Sequence, residues 1–160
     1  MAKQKEVKTN AMRILDGLGI EYREQSYECK EFVDGGQVAD KLGLDHEKVY
    51  KSLVCHGSGK NYFVFVIPID AELDLKKAAK SVGEKRVEMI HVKDIKEITG
   101  YVRGGCTAIG MKKNYPVRIE RAAETLDDIY VSGGKVGCQM NLKPEDLRRA
   151  CKGEWADLIA

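Results

Sequence analysis

Most of the familiar signatures of enzyme chemistry are missing from this chain. Its five cysteines, Cys29, Cys55, Cys106, Cys138 and Cys151, are odd in number and never approach a C-x-x-C spacing, so no disulfide framework is implied. His46, His56 and His91 form no H-E-x-x-H pair and no paired Cys/His pattern, which leaves a zinc centre without sequence support. Neither G-x-x-x-x-G-K-[ST] nor G-x-S-x-G occurs, so a phosphate loop and a serine-hydrolase elbow both lack their signatures. No apolar run is long enough to span a bilayer and no apolar signal segment opens the chain, which reads as cytosolic with reduced thiols. Charge is also scarce in net terms: 27 Lys+Arg against 25 Asp+Glu give +2, so no global field announces nucleic acid or membrane. Lysine clusters at Lys76, Lys77 and Lys80, at Lys85 and Arg86, and at Lys112 and Lys113 read first as solvated faces.

What is present is the patterning of one domain. At 160 residues the chain is long enough to bury a proper core and fits a single domain over 1–160. Ala11, Ile14, Leu15 and Leu18 fall at helical spacing, predicting a helix over 8–17 capped by Thr9 or Asn10 and stopped by glycines. Residues 22–27 read as extended and 37–42 as a short helix closed by Gly43, with Asp45 capping a further turn. Two strands, 49–55 and 62–67, flank a Gly-Ser-Gly-Lys-Asn turn and predict a hairpin. Residues 73–82 form an amphipathic helix ended by Gly83, 87–90 a short strand, and 92–98 a helix stopped by Gly100. Residues 116–119, 128–132 and 136–142 are candidate strands, and Pro144 opens a last helix at a favoured first position. Strands and helices mix without strict βαβ alternation, which predicts an α/β domain around a mixed, barrel-like sheet.

The most informative position is Lys51. Alternation along a strand puts it on the same face as Val49, Leu53 and Cys55, where a charge must snorkel, find a partner, sit at a sheet edge or line a cavity. The following segment, Tyr62-Phe63-Val64-Phe65-Val66-Ile67, is apolar throughout and predicts an inner strand buried on both faces. Two glycine pairs, Gly104-Gly105 and Gly133-Gly134, stand apart from the ordinary turns. They are either tight turns or places where backbone N–H groups hold an anion or a carbonyl oxygen. Cys106 lies beside the first pair, yet with no histidine nearby in sequence it reads as a small buried hydrophobe rather than a nucleophile. One unusual lysine and two backbone-rich loops suit binding and polarising a carbonyl more than attacking it.

Four segments taken together, Val49-Tyr50-Lys51-Ser52-Leu53, Leu73-Asp74-Leu75-Lys76-Lys77-Ala78-Ala79-Lys80, Thr99-Gly100-Tyr101-Val102-x-Gly104-Gly105 and Ile129-Tyr130-Val131-Ser132-Gly133-Gly134-Lys135-x-Gly137, resemble the YbaK/EbsC family of aminoacyl-tRNA deacylases. That family is related to the editing domain inserted in prolyl-tRNA synthetases, and the resemblance runs from about residue 9 to 150. It implies a compact α/β domain whose pocket receives the aminoacylated 3′ end of tRNA. Lys51 matches the lysine on which the family's activity depends, and Tyr27 matches an aromatic at the pocket wall. Gly104, Gly105, Cys106 and Thr107 match the loop that approaches the aminoacyl group, and Gly133 and Gly134 the second glycine loop. Two departures stand out. Cysteine-specific members usually carry Ser-x-Pro where this chain has Thr107-Ala108-Ile109, and often an aspartate where Gln139 stands.

What the resemblance implies chemically is hydrolysis of a mischarged tRNA, with Cys-tRNA(Pro) first among substrates and the substrate thiol itself attacking the ester. No cofactor and no metal are implied. The expected partners are the 3′ end of aminoacylated tRNA and prolyl-tRNA synthetase, with no membrane, for a cytoplasmic monomer or weak homodimer. The alternatives are a deacylase for another small amino acid such as alanine, which would need an ordered water, and an inactive module that binds tRNA ends or a synthetase.

Overall fold

The computed structural model describes residues 8–26, 35–59 and 61–160. Tyr27, Cys29 and Lys60 therefore lie outside the described residues. In chain order the helices are α1 (Asn10–Gly17), α2 (Gly35–Leu42), α3 (Leu75–Ser81), α4 (Ile95–Thr99) and α5 (Pro144–Cys151). The strands are β1 (Arg23–Ser26), β2 (Tyr50–His56), β3 (Tyr62–Pro68), β4 (Glu88–Met89), β5 (Val117–Glu120), β6 (Ile129–Ser132), β7 (Cys138–Leu142) and β8 (Glu154–Ala156).

β2 and β3 form the expected antiparallel hairpin, with Lys51 opposite Ile67 and His56 opposite Tyr62. β3 is apolar because its faces serve two cores. Val64 and Val66 pack with β5, β6, β7 and the α1 residues Ala11, Met12 and Leu15, while Phe63, Phe65 and Ile67 pack with Ala78 and Ala79 of α3 and with Leu158. β5 runs parallel to β3 and β8 parallel to β5, giving a mixed five-stranded sheet in the order β4-β2-β3-β5-β8. A second, antiparallel sheet has the order β1-β7-β6. A parallel bridge from Val49 to Tyr130 joins the two. The sheet is thus mixed, as its sequence suggests, but it is two sheets joined at one edge and not a closed barrel.

Local chemistry sets the element ends. Thr9 caps α1 by accepting from the Met12 N–H, and Asp74 caps α3 by accepting from Lys76 and Lys77. Asp45 caps the turn that leads into β2, and Gly100 ends α4 at φ 83°. The helical stretch after His91 begins as a 3₁₀ turn before becoming α4, and Gly137, at φ 86°, delays β7 to Cys138. The lysine-rich face of α3 is solvated in part, with Lys77 tied to Asp157 and to the Ile159 carbonyl.

β8 is held by a contact that sequence gave no sign of. Glu120, only 3 % exposed, accepts from the Ala122 N–H through one oxygen and from the Leu158 N–H through the other. It anchors the C-terminal segment to β5. Glu120→Ala leaves the Leu158 N–H without its acceptor, with an expected loss of about 2 kcal/mol. Thermal unfolding should register this as a midpoint about 4–8 °C lower.

Candidate functional site

Lys51 occupies the seam between two small apolar clusters. On one side lie Ile67 and Leu53, on the other Val49, Ile69 and Ala39. Its ammonium group donates to the Ile69 carbonyl at 3.2 Å, and the side chain is half-buried. An ammonium has three N–H donors, so this tether uses only one. β2 is not an open edge strand: β3 covers one side along its whole length, while on the other side β4 covers Cys55 and His56 and β6 meets it at Val49. Lys51 sits between those last two contacts.

The parallel bridge Val49↔Tyr130 defines what lies beside Lys51. Carried two residues further along each strand, the register of that bridge would set Lys51 level with Ser132. Ser132 pairs with Gln139, and Gln139 with Gln25. Paired residues share a sheet face, so Gln25, Gln139 and Ser132 form one polar row across the second sheet, and the register of the Val49↔Tyr130 bridge carries the row on to Lys51. The opposite face carries Val131, Met140 and Leu142 into the main core.

The two glycine loops converge beside this row, where β6 ends at Ser132. Gly133 and Gly134 follow Ser132 directly, and a Cβ on Gly105 would lie 2.8 Å from the Lys135 Cα and 2.9 Å from the Val136 nitrogen. Only a residue without a side chain permits that approach. Gly104, at φ 84°, is the third residue of a turn closed by the Gly105 N–H donating to the Val102 carbonyl at 2.9 Å, a position that favours glycine. Thr9 Oγ1 donates to the Gly133 carbonyl at 2.6 Å, and Tyr101 donates to the Ile109 carbonyl at 2.6 Å. Helix α1 and the buried Tyr101 ring therefore fix both loops from behind.

This geometry narrows the expectation that the glycine N–H groups are free to hold a ligand. The Gly105 N–H serves its turn, the Gly133 N–H donates to the Cys138 carbonyl at 3.0 Å, and the Gly134 N–H to Ser132 Oγ at 3.2 Å. Of the four, only the Gly104 N–H finds no acceptor among the described residues. Cys106 follows the hydrophobe reading: it packs against the main core and burial pushes its thiol up to about 11, so it is neutral near pH 7 and poorly nucleophilic. Thr107 is 1 % exposed.

Three buried side-chain oxygens lack a hydrogen-bond partner among the described residues: Gln25 Oε1, Thr107 Oγ1 and Gln139 Oε1. Gln25 and Gln139 belong to the row, and Thr107 to the loop segment that follows Gly105. Leaving such a group unpaired costs about 1–3 kcal/mol, so these oxygens are the polar atoms on this face that a bound hydrogen-bond donor would stabilise. Sequence reasoning singled out Lys51, Thr107 and Gln139 but missed Gln25 and Ser132. The available signal was parity, since Gln25 lies two residues before Tyr27 on an extended segment.

Beside the row, His46 ties α2 to the end of β3. Its Nε2 lies 2.7 Å from Asp40 and its Nδ1 2.8 Å from Asp70. Two carboxylates can both be satisfied only by a ring protonated at both nitrogens, and these bonds, Asp40's first, raise the His46 pKa above 6.5. A raised folded-state value means the contribution to stability is full below about pH 6.5 and is lost as pH rises through the folded value. An NMR titration of the His46 ring should therefore give a midpoint above 6.5, lowered by Asp40→Asn.

Among the described residues no group of three His, Cys, Asp or Glu is placed to hold a metal ion, and no helix is long and apolar enough to cross a membrane. The family model for the aminoacyl-tRNA editing domain matches residues 32–150. EbsC of Enterococcus faecalis, named as a candidate Cys-tRNA(Pro)/Cys-tRNA(Cys) deacylase, is 42 % identical over 160 residues, covering 99 % of this chain and 98 % of that protein. The uncharacterized protein YwhH of Bacillus subtilis is 25 % identical over 111 residues, 69 % of this chain and 70 % of its own. The solved structure of a candidate trans-editing enzyme for prolyl-tRNA synthetase superposes with a TM-score of 0.79 at 21 % identity, over 97 % of this chain and 99 % of that one. A hypothetical protein of known structure reaches 0.86 at 20 % identity, over 95 % of this chain and all of that one, 100 %. The two structures share the fold.

Proposed function

The chain belongs to the aminoacyl-tRNA editing domain family, and from that premise we propose that it is a trans-editing deacylase, one domain over 1–160, that hydrolyses Cys-tRNA(Pro). The observation that carries this reading is the polar row itself. It sets a cation with two unused N–H donors at one end and unpartnered acceptors at the other, a pattern that matches an aminoacyl ester lying along it.

In this reading Lys51 is the catalytic residue and holds the ester oxygens at the 3′ end of the tRNA. The Gly104 N–H is the backbone donor for the carbonyl oxygen, and Thr107, Gly105, Gly133 and Gly134 shape the aminoacyl subsite, with Cys106 packing beneath it. Tyr27 belongs to the same proposal through the resemblance alone. An aminoacyl ester is already activated, so orientation and charge stabilisation suffice without a protein nucleophile. With cysteine, the substrate thiol sulfur bonds to the carbonyl carbon, the bond from that carbon to the ribose oxygen breaks, and the oxygen leaves as a hydroxyl carrying the thiol's proton. Water then opens the thiolactone to cysteine. Such chemistry discriminates where a pocket cannot, because one small side chain differs from another by only about 1–3 kcal/mol of binding. The near-balanced net charge fits a site that grips the tRNA end alone, with prolyl-tRNA synthetase as the partner that supplies the remaining tRNA contacts in the cytoplasm.

Product analysis tests the chemistry. Single turnover of Cys-tRNA(Pro) should release cysteine by way of a trappable thiolactone, and S-methylation of the substrate cysteine should stop release. Equal turnover of the methylated substrate, or preference for Ala-tRNA(Pro), would assign attack to water instead.

A further inference from the structure

The orphaned glutamines call for a ligand of defined polarity. Gln139 is 7 % exposed and lies at the centre of its sheet, between Gln25 on β1 and Ser132 on β6. Both glutamines carry an enclosed Oε1 with no protein donor. Ser132 accepts the Gly134 N–H through its hydroxyl oxygen, and its own O–H reaches neither glutamine oxygen. Two neighbouring acceptors without donors suit a group that donates several hydrogen bonds and accepts none, which is what an ammonium does. Thr107, the third orphan, can both donate and accept and does not share this selectivity.

The distance along the row fits the substrate of the proposed reaction. Adjacent strands lie about 4.8 Å apart, so Gln139 and Lys51, two strands from one another, have backbones about 10 Å apart. An aminoacyl ester carries its α-ammonium next to the carbonyl carbon. Its donor end and its acceptor end thus match the two ends of the row, with the ester towards Lys51.

Resting on the deacylase reading, we infer that Gln25 and Gln139 are the receptor for the free α-ammonium of the aminoacyl group, and that the site consequently rejects esters whose amine is blocked. The chain then edits aminoacyl-tRNA and spares N-acylated forms, such as formylated or peptidyl esters, because acylation removes donors and adds an acceptor opposite two acceptors. Neutral carboxamides accomplish this without placing a second full charge near Lys51.

The test compares Cys-tRNA(Pro) with N-acetyl-Cys-tRNA(Pro), which keeps the thiol. For the wild type kcat/KM should favour the free amine by about 10²-fold or more. Gln139→Leu should erase most of that preference by slowing the free-amine substrate while leaving the N-acetyl substrate unchanged, and Gln25→Leu should act in the same direction if the first variant does not fold. A purely structural role would slow both substrates alike, and that result overturns the inference. Equal turnover of both by the wild type overturns it as well while leaving the deacylase reading standing. No turnover of either by the wild type removes the deacylase reading and the inference with it.

Discussion

Lys51→Ala is expected to slow deacylation by about 10²–10³-fold while the protein stays folded. The half-buried side chain contributes one hydrogen bond, to the Ile69 carbonyl, so its removal costs about 1 kcal/mol of stability. That carbonyl is a backbone acceptor at the end of β3, and water reaches it once the lysine stem is gone. The catalytic loss is larger because the ammonium is the only cation on the row, and Gln25, Gln139 and Ser132 are neutral and offer no full positive charge to the negative charge developing on the ester. Lys51→Arg should recover little, since a planar guanidinium cannot take the place of a compact ammonium between Ile67 and Ile69. Single-turnover rates set against denaturant midpoints separate the two effects. A parallel fall in rate and midpoint would show that Lys51 supports the fold and not the chemistry.

Gly105→Ala should be strongly damaging, because the added methyl group meets backbone. Its Cβ would lie 2.8 Å from the Lys135 Cα and 2.9 Å from both the Lys135 carbonyl carbon and the Val136 nitrogen. These are backbone atoms, so no side chain can swing aside, and the two glycine loops must separate. Overpacking of this kind costs about 1–3 kcal/mol, and it also displaces the Gly104 N–H and Thr107 from the row. The expected result is loss of most activity together with a lower unfolding midpoint. Gly43→Ala is the control: Gly43 has φ 67° but nothing within 4 Å of its added Cβ. It should pay only the left-handed backbone cost of about 1–2 kcal/mol and keep its turnover.

Some of this architecture was legible in the sequence because it is local. The β2–β3 hairpin follows from alternation around a glycine turn, and the two-faced burial of β3 follows from a run with no polar residue. Thr9 and Asp45 announce their caps by type and position, and the charge of Lys51 on an otherwise apolar face was visible from period two alone. What was illegible is non-local. β8 is three residues, Glu-Trp-Ala, with no alternation of its own, and exists because β5 offers it a parallel partner. The meeting of Gly105 with Lys135 and Val136 joins loops thirty residues apart. The polar row depends on a register between β6 and β2 set by one bridge, Val49↔Tyr130, and no pattern within either strand encodes it. For the same reason the mixture of strands and helices predicted the α/β domain and its mixed sheet, while the barrel-like form it suggested is two joined sheets. Tyr27, read from the resemblance as a pocket wall, lies outside the described residues.

The central claim is that this chain removes the wrong amino acid from tRNA through the row that ends at Lys51. The measurement that tests it most directly is release of labelled amino acid from Cys-tRNA(Pro) and from Pro-tRNA(Pro) by the wild-type protein and by Lys51→Ala. The account predicts rapid release of cysteine, retention of proline, and loss of the cysteine activity in the variant. Release of both amino acids alike, or full cysteine activity in Lys51→Ala, would contradict it.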